Sequence, residues 1–196
     1  MGQEGVVVRL PDSAHTDLPW RIHEVAPDFR VEDVWALPTP GGPDDFPRLV
    51  RNMTTGEGRF SGASRLLFAL RWKLGALLGW DAEKQGLGAR VRSLRHRLPA
   101  DLRETPRPGF RAVPLTTVYL TGDEWAAELA NRTVHTVMHI GWVRDGSGHR
   151  AQMAVLVKPN GWFGRAYMAA IRPLRHHVVD PALIRMIGRG WQQRST

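Results

Sequence analysis

With 196 residues, 42% apolar and 23% charged, the chain has room for one domain with a sizeable core and is too apolar to be a disordered segment. Zero cysteines exclude disulfides, thiolate nucleophiles and cysteine-ligated zinc or iron clusters, and fit a reducing cytoplasm. The formal charge of +8 leaves anionic partners open. Yet the densest basic run, "ARVRSLRHRLPADLR", has no interleaved aromatics, so it reads as a solvated face and no specific nucleic-acid partner is expected.

Residues 1–18 lack the basic start and long apolar core of a secretory signal, and they read as a flexible segment ahead of one domain over 19–196. Without export, the glycosylation patterns at Asn52 and Asn131 are coincidental. "DVWALPTPGGPDDFP" opens with a short strand signal, Asp33 to Leu37, and closes in a proline-glycine turn cluster. Asp44 or Asp45 then caps a short helix through "FPRLVRNM". In "SGASRLLFALRWKLGALLGW", Leu66, Leu67, Leu70, Leu74, Leu77 and Leu78 recur at helical steps. Arg65, Arg71 and Lys73 make that stretch a poor membrane span and a good buried helix.

Residues 81–112, polar and broken by prolines, read as connection with a short element. "VPLTTVYL" restarts strand character. "GDEWAAELAN" fits either a helical turn capped by Asp123 or a strand carrying Trp125, Ala127 and Leu129 on one face. Residues 132–158 read as a β-hairpin, two β-branched and aromatic runs joined by "RDGSG". After it, Phe163, Tyr167, Ala170, Ile171, Leu174 and Val178 lie on one helical stripe that Pro173 kinks. Asp180-Pro181 starts a further helix through "ALIRMIGRGW".

His135 and His139 are four apart. On a helix they would share a metal; on a strand they lie about 13 Å apart, too far to do so. The strand reading prevails, a zinc-protease glutamate is missing beside His135, and no metal or other cofactor is expected. No glycine-rich stretch sits in a nucleotide-binding context, and no nucleophile elbow is present.

"PDFRVEDVWALPTPGGPDDFPRLV", "LLFALRWKLGALLGWD", "DEWAAELANRTVHTVMHIGWV" and "QMAVLVKPNGWFGRAYMAAIRPLRHHVVDPALIRMIGRGW" together resemble the domain-of-unknown-function family 2867 over nearly all of residues 19–191. That family resembles in turn the helix-grip (SRPBCC) superfamily of polyketide-cyclase-like and START-like domains. The resemblance implies an α+β fold. A curved antiparallel sheet would wrap round a long C-terminal helix, with additional helices after the first strand and an apolar cavity between sheet and helix. It transfers no catalytic motif, and fold alone assigns no activity.

The candidate acid–base residues are His135, His139, Glu128 and Asn131: an imidazole facing a cavity exchanges protons near neutral pH, and Glu128 or Asn131 would orient it. In one continuous strand Asn131, His135 and His139 face one side and Glu128 the other; a helical 123–131 would change that. Whether the histidines face core or solvent stays open. Trp35, Arg71, Tyr119, Met138, Met153, Trp162 and Tyr167 are the candidate ligand-binding residues, the aromatics and methionines as cavity lining and Arg71 for a ligand carboxylate. The expected function is to hold a small hydrophobic molecule, polyketide-like or lipid-like, in the cytoplasm. The alternative is a cofactor-independent cyclase, dehydratase or isomerase using a pocket histidine. Neither the ligand nor the oligomeric state is legible.

Overall fold

Turn chemistry and strand propensity meet in the hairpin at the centre of the protein. Strand β5 (Val134–Asp145) pairs along its whole length with β6 (Gly148–Pro159), and Gly146 supplies the left-handed backbone of the turn at φ 59°. The computed structural model describes residues 7–55, 91–109, 115–130, 134–160 and 180–192.

The other strands are β1 (Val8–Leu10), β2 (Arg30–Ala36), β3 (Thr116–Leu120) and β4 (Glu124–Ala130). All six form one open antiparallel sheet in the order β1-β2-β6-β5-β4-β3, so β1 and β3 are its edges. The ambiguous "GDEWAAELAN" is therefore strand, and it carries Trp125 and Ala127 on one face as alternation requires. Residues 8–18, read from sequence as a flexible lead-in, carry β1 and the short α1 (Ser13–Thr16), whose His15 is 1% exposed.

The remaining elements are α2 (Ile22–Val25), α3 (Phe46–Thr55), a 3₁₀ turn (Leu94–Arg97), α4 (Ala100–Arg103) and α5 (Asp180–Gln192). The helix expected after the proline-glycine cluster is α3, ahead of which the Asp45 carboxylate accepts from the Gly42 N–H and not from a helix N–H, and α5 begins at Asp180. The leucine-rich helix of 61–79 and the kinked helix of 163–178 lie outside the described residues. The C-terminal helix that is described runs 13 residues.

Elements cover both faces of the sheet. On one, α3 presents Phe46, Leu49 and Val50 and α5 presents Ile184, Ile187 and Trp191, three- and four-residue steps that turn one stripe inward. They pack on Trp35, Trp125, Met138, Ile140, Trp142 and Met153. The opposite face holds Val34, Tyr119, Ala126, Val137, Ala154 and Leu156 beneath Trp20, Ile22, Val25, Leu94, Leu98 and Leu102. Each large apolar side chain so buried contributes about 1.5–3 kcal/mol. Indole N–H groups pin the first layer: Trp191 donates to the Pro40 carbonyl at 2.9 Å and Trp142 to that of Gly42 at 3.0 Å.

Gly141 sets how closely the second layer approaches. A Cβ there would lie 2.6 Å from two atoms of the Trp20 ring. Gly141→Ala is expected to cost about 1–3 kcal/mol in urea unfolding, because a buried ring cannot yield cheaply. Gly190 in α5 differs: a methyl group added there would meet nothing within 4 Å, so Gly190→Ala should stabilise by up to about 1 kcal/mol in the same assay.

Candidate functional site

The register of β4 on β5 decides which polar groups meet. Ala130 pairs with His135, Glu128 with Val137, Ala126 with His139 and Glu124 with Gly141, and cross-strand partners share a face. Glu124, Glu128, His135 and His139 therefore all stand on the α1–α2 side. This corrects the single-strand expectation that Glu128 points away from the histidines. A chain that reverses between β4 and β5 resets the parity that a continuous strand would have kept.

Two carboxylate–imidazole pairs result. Glu128 accepts from His135 Nε2 at 2.8 Å, from the Leu94 backbone N–H at 3.0 Å and from the Ser93 hydroxyl. Phe29 lies edge-on to His135, with ring centroids 4.9 Å apart. Glu124 accepts from His139 Nε2 at 3.1 Å, from the Tyr119 hydroxyl at 2.8 Å and, through both oxygens, from the Arg21 backbone N–H at 3.0 Å. All four residues are nearly sealed from solvent: Glu128 and His139 are 0% exposed, His135 3% and Glu124 4%.

Hydrogen-bond bookkeeping fixes the protons of the second pair. A carboxylate only accepts, so His139 carries its hydrogen on Nε2 and presents a bare Nδ1. His15 Nε2 lies 3.1 Å from that nitrogen and must donate to it. The His15 ring thus ends the string Glu124–His139–His15 with an unprotonated Nδ1, buried and without a protein partner. His23 meets His15 edge-on, with ring centroids 4.9 Å apart.

Burial first, then the neighbouring His139 and His23, lowers His15 to about 3. Burial also lowers His139, against the pull of Glu124. For Glu124 burial acts upward, but donation from His139, Arg21 and Tyr119 outweighs it and holds the carboxyl below its usual range. Glu128 behaves alike, through His135, Ser93 and Leu94. Tyr119 is raised by burial and by the Glu124 charge. At neutral pH the string is therefore one anionic carboxylate facing neutral imidazoles.

Beside this string the surface opens into a cleft of about 470 Å³ between α1, α2 and β2. Ala26, Pro27, Phe29, Val31 and Leu156 form its apolar part; Asp12, Thr16, His23 and Arg30 are its polar groups. With four polar and five apolar lining residues, the cleft matches a small ligand that carries both polar groups and an apolar part.

The sequence-chosen residues divide among these regions. Glu128, His135, His139 and Tyr119 lie on the α1–α2 face, whereas Trp35, Met138 and Met153 are packed into the core under α3 and α5. Arg71, Asn131, Trp162 and Tyr167 lie outside the described residues. Sequence reasoning missed Glu124, His15, His23 and the backbone of Arg21. The repeat of glutamates at 124 and 128, same-face spacing on a strand, was the signal for Glu124; nothing local joins His15 to a residue 124 positions away.

Among the described residues no cluster of three or more histidines and carboxylates is arranged to hold a metal, and no helix is long and apolar enough to cross a membrane. The family described as "Protein of unknown function (DUF2867)" matches residues 25–182, and the chain belongs to it. No curated protein and no solved structure gave a significant match.

Glu124→Ala removes the only charge of the string but leaves the buried His139, Tyr119 and Arg21 donors unfilled, so it is expected to cost at least about 1–3 kcal/mol in urea unfolding, the cost of one buried donor left unsatisfied. The lowered His15 also makes stability depend on pH. Its folded value lies below its unfolded one, so its contribution is complete above pH 6.5 and is lost as pH falls toward 3. The lowered glutamates add loss below their ordinary range, in the same direction. Unfolding free energy should drop by about 2 kcal/mol between pH 7 and pH 5. His15→Gln, which keeps a donor for His139 but does not titrate, should flatten that slope; equal stability of the unsubstituted protein at pH 7 and pH 5, or an undiminished slope in the variant, would refute the assignment.

Proposed function

We propose that this member of the DUF2867 family binds a small, largely hydrophobic molecule in the cleft between α1, α2 and β2. The observation that carries the reading is the cleft itself: Phe29, Val31 and Leu156 offer apolar surface beside polar groups confined to Asp12, Thr16, His23 and Arg30. Burying apolar ligand area there contributes about 25 cal/mol per Å². The layer between the sheet and the described C-terminal helix is occupied by Trp35, Met138, Met153 and their neighbours, which is why the cleft is preferred to it. The helix-grip reading belongs to the same proposal, supported by an open antiparallel sheet with α5 packed on one face. Absence of cysteine supports a cytoplasmic setting.

A second reading, a cofactor-independent cyclase, dehydratase or isomerase, is favoured by the Glu124–His139–His15 string. A carboxylate that orients one imidazole, and through it another, is the arrangement acid–base chemistry uses. In this reading the imidazole that meets the ligand is His23, which lines the cleft and lies edge-on to His15 at the end of the string. A bound compound recovered chemically unchanged after long incubation would sink this reading and leave the first intact.

The first reading is tested by thermal shift with neutral aromatic and medium-chain aliphatic compounds. Ligand at one hundred times its Kd should stabilise the fold by about 2.7 kcal/mol. Thr16→Trp, at an exposed position on the cleft, should fold normally and abolish that shift. A shift of equal size in the variant would place the ligand elsewhere.

A further inference from the structure

The other side of the sheet carries a second hollow. Its volume is about 490 Å³, and it lies between α3, the residues that follow α4 and the end of β3. Phe46 and Val50 of α3 and Leu120 of β3 form its floor, and all three belong to the layer under α3 and α5 or pack against it. Val31 and Leu156 of the first cleft belong to the opposite layer. The two hollows are therefore separate sites.

The walls of the second cleft are short of hydrogen-bond donors. Pro47, Pro106 and Pro108 give it apolar ring surface and no backbone N–H. Both lining hydroxyls donate elsewhere: Thr54 to the Val50 carbonyl at 2.9 Å and Thr121 to Asp123 Oδ1 at 3.1 Å. Side-chain donors reach the cleft only from the guanidinium groups of Arg51 and Arg107, and no carboxylate is among the described lining residues. Arg107 is exposed and donates through Nη2 to the Arg103 carbonyl, a neutral acceptor that fixes the side chain and cancels none of its charge. It forms no ion pair among the described residues, and most of its N–H fork stays open.

We infer that this second cleft binds a small molecule with a carboxylate on an apolar body, its head on Arg107. Two carboxylate oxygens match the planar fork of a guanidinium, and a charged pair of this kind is stronger than a neutral hydrogen bond. The body removes its apolar surface from water against the proline and leucine walls. An alcohol head gains no charge attraction, and an ammonium head meets like charge. The inference is independent of the reading of the cleft between α1, α2 and β2.

The test uses three probes with one phenyl body and heads of different charge: phenylacetate, 2-phenylethanol and 2-phenylethylamine. Their Kd values are measured by NMR titration at pH 7 and fixed ionic strength, following the resonances of Val50, Thr54 and Leu120. Phenylacetate should bind roughly fivefold more tightly than the alcohol, the strength of an exposed ion pair, and the amine most weakly. Added salt should narrow the gap. Arg107→Gln, at an exposed position, should keep the urea midpoint and bring phenylacetate to the level of the alcohol without weakening the alcohol. An alcohol that equals phenylacetate, or a preference that survives Arg107→Gln, overturns the inference. Silence of Val50, Thr54 and Leu120 toward all three probes overturns it too, and shifts at Thr16, Phe29 and Val31 instead would leave the reading of the first cleft standing.

Discussion

The buried carboxylate of Glu124 is the point on which the α1–α2 side of this protein depends. A charge taken out of water is tolerated only when its lone pairs are filled, and Glu124 draws its donors from three places: Tyr119 on β3, His139 on β5 and the backbone of Arg21 before α2, while His15 of α1 donates in turn to His139. The requirement to satisfy one anion thereby fixes how two very short helices sit on the sheet. Four-residue helices such as α1 and α2 have little stability of their own. Their place is held by the polar string and by Trp20, lying against Gly141.

The same constraint explains the division of labour between the faces. The side under α3 and α5 is aromatic and aliphatic; of its indole nitrogens, those of Trp142 and Trp191 donate to backbone carbonyls and that of Trp125 to the Thr117 hydroxyl, while that of Trp35 is buried with no partner among the described residues. The other side accommodates two glutamates and three histidines because each buried charge has its donors built in. An apolar core needs only volume and is insensitive to proton position. A hydrogen-bonded string is directional, which is why the tautomers of His139 and His15 follow from a single carboxylate and why the chemistry collects on that side.

The central hairpin, its glycine turn, β2, β3, α3 and the start of α5 were legible because each depends on local physics: β-branched alternation, the positive-φ Gly146, and a proline-glycine break ahead of a helix. The candidate site was legible in part. His135, His139 and Glu128 stood out as titratable groups in an apolar strand, but their common orientation did not, since reading 123–143 as one strand kept a parity that the reversal before β5 resets. Trp35, Met138 and Met153 looked like cavity lining because apolar side chains read the same in a wall as in a filled core. Their packing separates the two cases.

The sequence by itself determined the α+β class, the hairpin at the heart of the sheet, and the absence of cysteine chemistry, since composition and short-range backbone preference act within a few residues. Only the tertiary structure decided that Glu124 would be the anchor, that His15 would reach His139 across 124 positions, and that Asp12 and His23 would share a cleft with Leu156. The physical reason is that hydrogen-bond satisfaction and charge burial are properties of a place in space. A chain written in one dimension carries no mark of which distant residues will be brought there.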